Sequence, residues 1–331
     1  MGLLDVRARR DRRAVNRRRV GSRSSLGRLL IGWAASALVL ASRPAPATAR
    51  SEGDVLTAVV SGRPLLEYRA TPNPNKVYVA RLFSPTGVQV LLDSPPDHVH
   101  HHGLMLALDV GGTSFWTDGE KEGVQKPRRP ATLRREGTRS TIAHELDWVA
   151  PDGRVMLEER RTIVAEAAED RTATLLTWTS RLVVPKSGKT TPLATERPYV
   201  GLGLRLPKSM DTLARFVFPD GKDATPVRNT EKVTRDRWTA GVGPVDGRTV
   251  TVAMFDHPGN LRHPAAWFTM SDALTYMTAT LNLYRQPLAV EPGRPLELRY
   301  GVAVWDGAAS VETIEALYRA WAGRTPAPGR P

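Results

Sequence analysis

Alternation of hydrophobic and polar residues dominates the chain from about residue 53 to residue 307 and predicts β-strands. Residues 76–83, 154–164 and 172–184 alternate or nearly alternate and are rich in Val, Thr and Leu. Successive side chains of a strand point to opposite faces, so such runs suit sheets with one buried face. Turn sequences such as Pro-Asp-Gly separate the runs. We therefore predict an all-β fold, a large antiparallel β-sandwich.

One stretch near the C-terminus has helical periodicity instead. Its apolar residues recur at i, i+3, i+4 and i+7, namely Ile314, Leu317, Tyr318 and Trp321. Ser310 is placed to cap the start of this helix and Gly323 to end it. We expect residues 50–324 to form one domain and the Pro-rich residues 325–331 to be a disordered tail.

The N-terminal region predicts export. Residues 1–28 are rich in arginine, residues 29–41 are apolar, and small residues stand at Ala47 and Ala49. A basic region, a short apolar core and an Ala-x-Ala end are typical of a signal peptide. We expect residues 1–49 to be a leader for the Sec or the twin-arginine route, with an uncleaved membrane anchor as the alternative. Beyond this segment no run approaches membrane-spanning length.

Charge and cysteine content exclude several classes of function. The net charge is +13, but residues 1–50 contain twelve of the 47 Lys and Arg and two of the 34 Asp and Glu, which leaves +3 for the rest. A nucleic-acid-binding protein needs a basic surface on its folded domain, so we expect no nucleic-acid partner. The chain has no cysteine, which excludes disulfides, thiolate zinc sites and cysteine catalysis.

A histidine-rich segment is the first candidate for chemistry. Four of the seven histidines lie within five positions, between apolar runs at residues 87–92 and 103–108 that we expect to be strands: His98, His100, His101 and His102. If the segment is extended, His98, His100 and His102 share one side and could bind a divalent metal beside Asp97. Otherwise one imidazole could act as acid or base. The simplest alternative is a polar surface loop without function.

A second loop, residues 255–264, is the other candidate. It carries four polar side chains suited to a ligand: His257, Asn260, Arg262 and His263. Arg262 could bind a carboxylate with its planar guanidinium. The alternative is an Asp256–Arg262 ion pair that only closes the turn. We expect the two loops to face each other across one pocket.

Trp116 and Arg205 are further candidates for substrate binding. The face of a tryptophan ring can stack on the C–H face of a sugar, although core packing is the commoner fate of tryptophan in a sheet. Arg205 ends a glycine-rich stretch, residues 196–205, that would let a ligand or another backbone approach closely. An ordinary ion pair with Glu196 is the alternative role of Arg205.

The two loops together resemble a bacterial family. Its members typically have D-H-P-H-H-R-G followed by N-G-x-x-F-W, and here residues 97–103 read DHVHHHG while residues 111–116 read GGTSFW. Residues 256–267, 202–205 and 292–300 are similar as well. Members often carry the automatic name "methane oxygenase PmoA", which evokes a bundle of transmembrane helices. This chain has no apolar segment of that length after residue 50.

The resemblance implies a galactose-mutarotase-like β-supersandwich with a short C-terminal helix and a carbohydrate or sugar-acid ligand. The motif positions correspond to His98, His100, His101, His257, Asn260, Arg262 and His263. This chain departs from the motif at Val99, where proline is usual, and at His102, where arginine is usual. The second departure bears on any role that needs a fixed positive charge.

These observations lead to one main hypothesis, an exported lyase, hydrolase or epimerase that acts on a sugar or sugar acid. The expected catalytic residues are His98, His100, His101, His257 and His263. The expected substrate-binding residues are Asp97, Trp116, Asn260, Arg262 and Arg205. A divalent metal on His98, His100 and His102 is a possible cofactor. The alternatives are a non-catalytic carbohydrate-binding protein and, on the histidines alone, a copper-dependent oxidase.

Overall fold

Antiparallel strand pairing organises the domain. The computed structural model describes residues 48–50, 53–168, 170, 172–219, 225–228 and 230–324. Within these residues there are 23 strands, numbered β1 to β23 along the chain, one α-helix and one short 3-10 helix at Lys208–Met210. The strands form three sheets, and all the pairings between them are antiparallel. The predicted all-β antiparallel fold is confirmed.

The sheets contain ten, nine and four strands within the described residues. The first contains, in spatial order, β1 (Thr48–Arg50), β9 (Thr132–Glu136), β10 (Arg139–Val149), β11 (Val155–Ala167), β12 (Ala173–Val183), β23 (Leu296–Asp306), β19 (Arg248–Asp256), β18 (Trp238–Val245) and β15 (Arg215–Val217), with β8 (Val124–Pro127) also on β10. The second contains β16 (Thr225–Arg228), β17 (Glu231–Arg235), β20 (Ala266–Met270), β21 (Tyr276–Thr280), β14 (Gly201–Arg205), β5 (Leu104–Ala107), β4 (Tyr78–Leu82), β3 (Arg63–Arg69) and β2 (Val55–Val60). The third contains β22 (Leu288–Val290), β13 (Thr191–Leu193), β6 (Asp109–Val110) and β7 (Thr113–Ser114).

The main hydrophobic core lies between the two large sheets. It joins Leu202 and Met277 of the nine-stranded sheet to Trp178 and Val302 of the ten-stranded sheet in one cluster of buried side chains. Because side chains alternate along a strand, the neighbours of Leu202 and Met277 point to the other face of the nine-stranded sheet. That outer face carries a separate small cluster around Tyr276.

The predicted C-terminal helix is confirmed as α1, Val311–Ala322. The Ser310 hydroxyl accepts a hydrogen bond from the Thr313 N–H at 3.2 Å, and Gly323 ends the helix. Its apolar stripe buries Trp321 against the outer face of the ten-stranded sheet. No helix within the described residues is long and apolar enough to cross a membrane.

The long strands agree with the alternation in the sequence, whereas one predicted strand is wrong. β4, β11 and β12 lie within or close to the predicted runs. Residues 87–92, however, make only an isolated bridge at Gln89. The Val90 N–H bonds to Leu82 and the Leu92 N–H to Arg205, so this run passes between two strands and extends neither. The leader up to residue 47 and the tail lie outside the described residues and stay predictions.

A buried ion pair joins the two large sheets. The side chains of Glu159 and Arg161 are 0% and 1% exposed and meet at 2.8 Å. Trp148 and Ser180 donate to the Glu159 carboxylate, and Arg161 donates to the Val77 carbonyl beside β4 at 2.7 Å. Burial opposes the charge on Glu159, but Arg161 outweighs it and holds the Glu159 pKa below its ordinary value. The pair is therefore charged and fully bonded.

We expect Arg161→Met to lower the free energy of unfolding by about 3–5 kcal/mol, because it leaves the Glu159 carboxylate buried without its partner. Urea unfolding measures this. The double variant Glu159→Gln/Arg161→Met should regain most of the loss. Arg139, in a more exposed pair with Glu166, supplies the control, since Arg139→Met should cost below about 1 kcal/mol. Equal losses for the two single variants would contradict the account.

Candidate functional site

The histidine-rich segment folds as two consecutive turns and not as an extended strand. The His98 N–H donates to the Pro95 carbonyl, and the His101 N–H donates to the His98 carbonyl, both at 2.9 Å. The turns bring the rings of His98 and His101 into a stack with centroids 4.8 Å apart. The arrangement with His98, His100 and His102 on one side is therefore not formed. His102 stacks on Tyr78 instead, at 4.5 Å.

Gly103 fixes the segment at the end of the nine-stranded sheet. Its φ is +26°, and a Cβ there would collide with the Val79 carbonyl oxygen. The Gly103 N–H donates to Leu92, and its carbonyl accepts from the Arg205 N–H. The turns therefore end directly at the start of β5, against β4 and β14.

Six rings form one contiguous surface, which we call the Trp116 cluster. Its members are His98, His100, His101, Trp116, Tyr199 and Tyr276. The Trp116 ring lies 4.7 Å from His100, 4.8 Å from Tyr199 and 5.3 Å from His101. Tyr276 supports the cluster from the outer face of the nine-stranded sheet by stacking on His101 at 5.1 Å. Gly203 leaves the space that the Tyr276 hydroxyl occupies.

The members of the Trp116 cluster differ in exposure and charge. Trp116 and His101 are both 5% exposed, whereas His100 and Tyr199 are half-buried. Burial lowers the pKa of His101 to about 2. Burial, with the positive charges of Lys76 and His98, also lowers the pKa of His100. Both imidazoles are therefore neutral near pH 7, and His100 is the accessible one.

Two buried polar atoms of this cluster have no hydrogen-bond partner among the described residues. They are Nδ1 of His101 and Nε1 of Trp116; the Trp116 side chain comes near the Tyr276 hydroxyl but forms no full hydrogen bond with it. Buried polar atoms are nearly always paired, so unpaired ones need a reason. Here they belong to two rings in contact with each other, where a polar ligand group could satisfy them.

His102 is held between two carboxylates. Its Nδ1 lies 3.0 Å from Asp93, and its Nε2 lies 2.7 Å from Asp118. Burial disfavours the charged imidazolium, but the hydrogen bonds to Asp118 and Asp93 outweigh it and raise the His102 pKa. Since both nitrogens face acceptors, His102 is the doubly protonated cation.

Lys76 completes this charge network. It is fully buried and donates to Asp118 and to the Trp116 carbonyl, the latter at 3.0 Å. Burial lowers the Lys76 pKa, against the opposing effect of Asp118. Each carboxylate oxygen of Asp118 therefore accepts a hydrogen bond from a cation, Lys76 or His102. The network connects Trp116 to the histidine segment.

In the second loop, Asp256 organises its neighbours. One oxygen of Asp256 accepts from Asn260 at 2.7 Å, and the other lies 2.6 Å from Nδ1 of His263. The Asn260 amide also bonds the Arg299 backbone in both directions, at 2.7 Å. Burial raises the Asp256 pKa. The Asn260 side chain is thus occupied by the fold and has little left to offer a ligand.

Arg262 and His257 are similarly engaged. The Arg262 guanidinium donates to three backbone carbonyls, those of Leu281, Gln286 and Pro287. The expected carboxylate clamp and the alternative Asp256 ion pair are both replaced by this loop anchor. The His257 ring packs on Trp321 at 5.6 Å, with Nε2 3.1 Å from Arg299.

The two loops lie at opposite ends of β20 and β21. At one end Met270 pairs with Tyr276, which supports the Trp116 cluster. At the other end Ala266, just after the second loop, pairs with Thr280. The two ends are four residue steps apart along β20, about 14 Å at 3.4 Å per step. The expectation that both loops face one pocket is therefore wrong. The second loop instead lines its own depression of about 600 Å³ with residues 258–263 and 295–297.

Comparison with protein families matches residues 56–319 to a family described as "Family of unknown function (DUF6807)". The match spans most of the chain. The chain belongs to this family. No methane-oxygenase name accompanies it, so that part of the resemblance is not supported. A comparison with curated proteins finds no match.

Among solved structures, the chain is similar to a galactose mutarotase related enzyme from Lactobacillus acidophilus. The two share 7% sequence identity and a TM-score of 0.41, over 77% of this chain and 98% of the other.

The possible metal site and the role of Arg205 also change in the structure. No three His, Asp or Glu side chains of the described residues are arranged to hold a metal ion, and both His102 nitrogens already face carboxylates. Arg205 is fully buried and pairs with Asp211 at 2.9 and 3.0 Å. Glu196 is not its partner, and the ion pair positions the strand end. Asp97 pairs with His98 and Lys208.

The sequence reasoning missed Arg197, Tyr199 and Glu231. Arg197 lies 5.6 Å from the Trp116 ring, and Tyr199 belongs to the cluster. Burial raises the Tyr199 pKa, and the negative charge of Glu231 adds to this rise against the opposing charge of Arg197. The sequence did contain a signal for two of them, because Arg197 and Tyr199 flank Pro198 just before the glycine-rich strand β14.

We expect His102→Gln to cost about 3 kcal/mol of unfolding free energy at low pH, because a neutral amide cannot replace a buried cation between carboxylates. A raised folded pKa adds stability that is complete below the ordinary pKa of about 6.5 and is lost as the pH rises through the folded value. Guanidinium unfolding at about pH 6 and about pH 9 should therefore show a smaller cost at the higher pH. The control is His98→Gln, at a half-exposed histidine. A loss of unfolding free energy in His102→Gln that does not change with pH would contradict the presence of a His102 imidazolium.

Proposed function

We propose that this protein binds and transforms a saccharide at the Trp116 cluster by acid–base chemistry. The observation that carries the proposal is the half-buried, neutral His100 ring on Trp116, next to the unpartnered His101 Nδ1 and Trp116 Nε1. Saccharides combine apolar C–H faces, which pack on aromatic rings, with hydroxyls, which bond buried polar atoms. The cluster offers both kinds of contact at one place.

The accessible rings are those of His100 and Tyr199, both half-buried. Trp116 is only 5% exposed, so it supports these two rings and does not form a broad platform of its own. We expect a sugar ring to lie against His100 and Tyr199, with a hydroxyl directed at the two unpartnered nitrogens.

Proton transfer is the chemistry that the charges favour. The neutral His100 imidazole can accept a proton from a sugar hydroxyl or from an acidified C–H. Asp97, Asp109 and Asp118 are all engaged in ion pairs, so they do not form the free carboxylate pair typical of glycoside hydrolysis. Glu231 pairs with Arg228 through Oε1, whereas its Oε2 is buried without a partner among the described residues. It is the candidate second proton carrier, which favours epimerisation or elimination.

A non-catalytic saccharide-binding protein is the second candidate. The observation in its favour is that no described residue forms a hydrogen bond that orients His100. Catalytic imidazoles are usually held by such a bond. Binding alone needs only the aromatic surface and its donors.

We expect His100→Gln to lower the rate of saccharide turnover about 10²–10⁴-fold, because it removes the base. The affinity for the saccharide should change only a few-fold. Turnover is followed by NMR on a panel of mono- and oligosaccharides, and affinity by calorimetry. His257→Gln is the matched control, since His257 lies at the other end of β20 and β21 and should leave both quantities near wild type.

Three outcomes separate the candidates. Turnover lost only in His100→Gln supports the enzyme. Binding without turnover in the wild type supports the non-catalytic protein. Loss in His257→Gln with an unaffected His100→Gln would move the site to the second loop and overturn the proposal.

We further propose that the protein works outside the cytoplasm, on the evidence of the basic and apolar residues 1–49. Expression of the whole chain in a bacterial host, followed by N-terminal sequencing of the exported fraction, should give a mature start near residue 50. That cleavage would remove Thr48 and Ala49 from β1. Full-length protein retained in the membrane fraction would instead indicate an uncleaved anchor.

A further inference from the structure

We propose that the saccharide is anionic and that Arg197 binds its carboxylate. This inference rests on the proposed function and narrows its substrate class to sugar acids. Arg197 stands next to the Trp116 cluster, with its guanidinium carbon 5.6 Å from the centroid of the Trp116 ring.

The Arg197 side chain is held in place but not fully used. Its Nη2 donates to both oxygens of Asp109, at 2.7 and 2.9 Å, and to the Ser114 hydroxyl at 2.9 Å. Its Nε and Nη1 donate to no described residue. A guanidinium fixed through one nitrogen keeps its other N–H groups as preorganised donors for an anion.

Exposure determines which charge an incoming ligand meets. The Arg197 side chain is 27% exposed and that of Asp109 is 12% exposed. The same asymmetry holds for Arg228 and Glu231, at 66% and 11%. Burial raises the Tyr199 pKa, and the positive charges of both arginines oppose this rise. Their carboxylate partners lie deeper, where a ligand carboxylate meets them last.

The arginines predicted from the sequence cannot take this role. Arg262 donates to three backbone carbonyls at the far end of the sheet. Arg205 is fully buried in its ion pair with Asp211. Of these three arginines, Arg197 is therefore the one that combines contact with the Trp116 cluster and unused donors.

Calorimetry with matched ligands tests the inference. The probes are the trimers of galacturonic acid and glucuronic acid, together with their carboxyl-reduced, uncharged forms. For the wild-type protein we expect an acidic trimer to bind roughly 10-fold or more tightly than its neutral form, as a charge-assisted hydrogen bond provides. This preference should shrink as salt concentration rises.

The variants are Arg197→Gln and the double variant Arg197→Gln/Asp109→Asn. Arg197→Gln alone leaves the Asp109 carboxylate without its partner and could destabilise the fold. The double variant avoids this, because the asparagine that replaces Asp109 carries no charge. Both should bind the acidic and the neutral trimers with equal affinity. The control Arg139→Gln, at a half-exposed arginine paired with Glu166, removes the same charge away from the cluster and should keep the preference.

The outcomes distinguish this inference from the proposed function. Equal binding of acidic and neutral trimers by the wild type, or an unchanged preference in the folded double variant, would overturn the role of Arg197 and leave saccharide binding intact. Absence of binding to every saccharide would overturn both. A preference lost in both Arg197 variants but kept in Arg139→Gln supports the inference.

Discussion

The buried charge network of Lys76, His102, Asp93 and Asp118 is the interaction on which the candidate site depends. Asp118 accepts from Lys76 and from His102, and Asp93 accepts from the other His102 nitrogen. These contacts join the start of β4 to the histidine segment and to the segment that carries Trp116. A buried cation is costly unless it is paired. The network can therefore form only when both segments are docked, and docking brings His100 onto Trp116.

The network also separates the histidine segment into a charged part and a neutral part. His102 carries the charge, because its two nitrogens face Asp93 and Asp118. His100 and His101 are neutral, and both rings contact Trp116. The second loop contributes to the fold instead, because Asn260 and Arg262 bond backbone groups. Its depression of about 600 Å³ is lined by Asn260, Arg262 and His263, whose side chains are already bonded within the fold.

Periodicity predicted the strands and the helix because alternation and the 3.6-residue repeat are local properties. Local sequence also located the histidine segment at a sheet end. It could not give the two turns inside that segment, which depend on hydrogen bonds from His98 and His101. Nor could it show that the two loops lie at opposite ends of the sheet, because their positions depend on the pairing of β20 with β21. Arg197 was missed because its partner Asp109 lies 88 positions away.

The most direct test of this account is an NMR titration of the histidine imidazoles in uniformly labelled protein. The account predicts that His102 keeps protons on both nitrogens at neutral pH and titrates above the ordinary value of about 6.5, while His100 titrates below it. Protonated His102 beside neutral His100 would establish the division between structural cation and accessible base. A neutral His102, or a His100 that is charged at neutral pH, would contradict it.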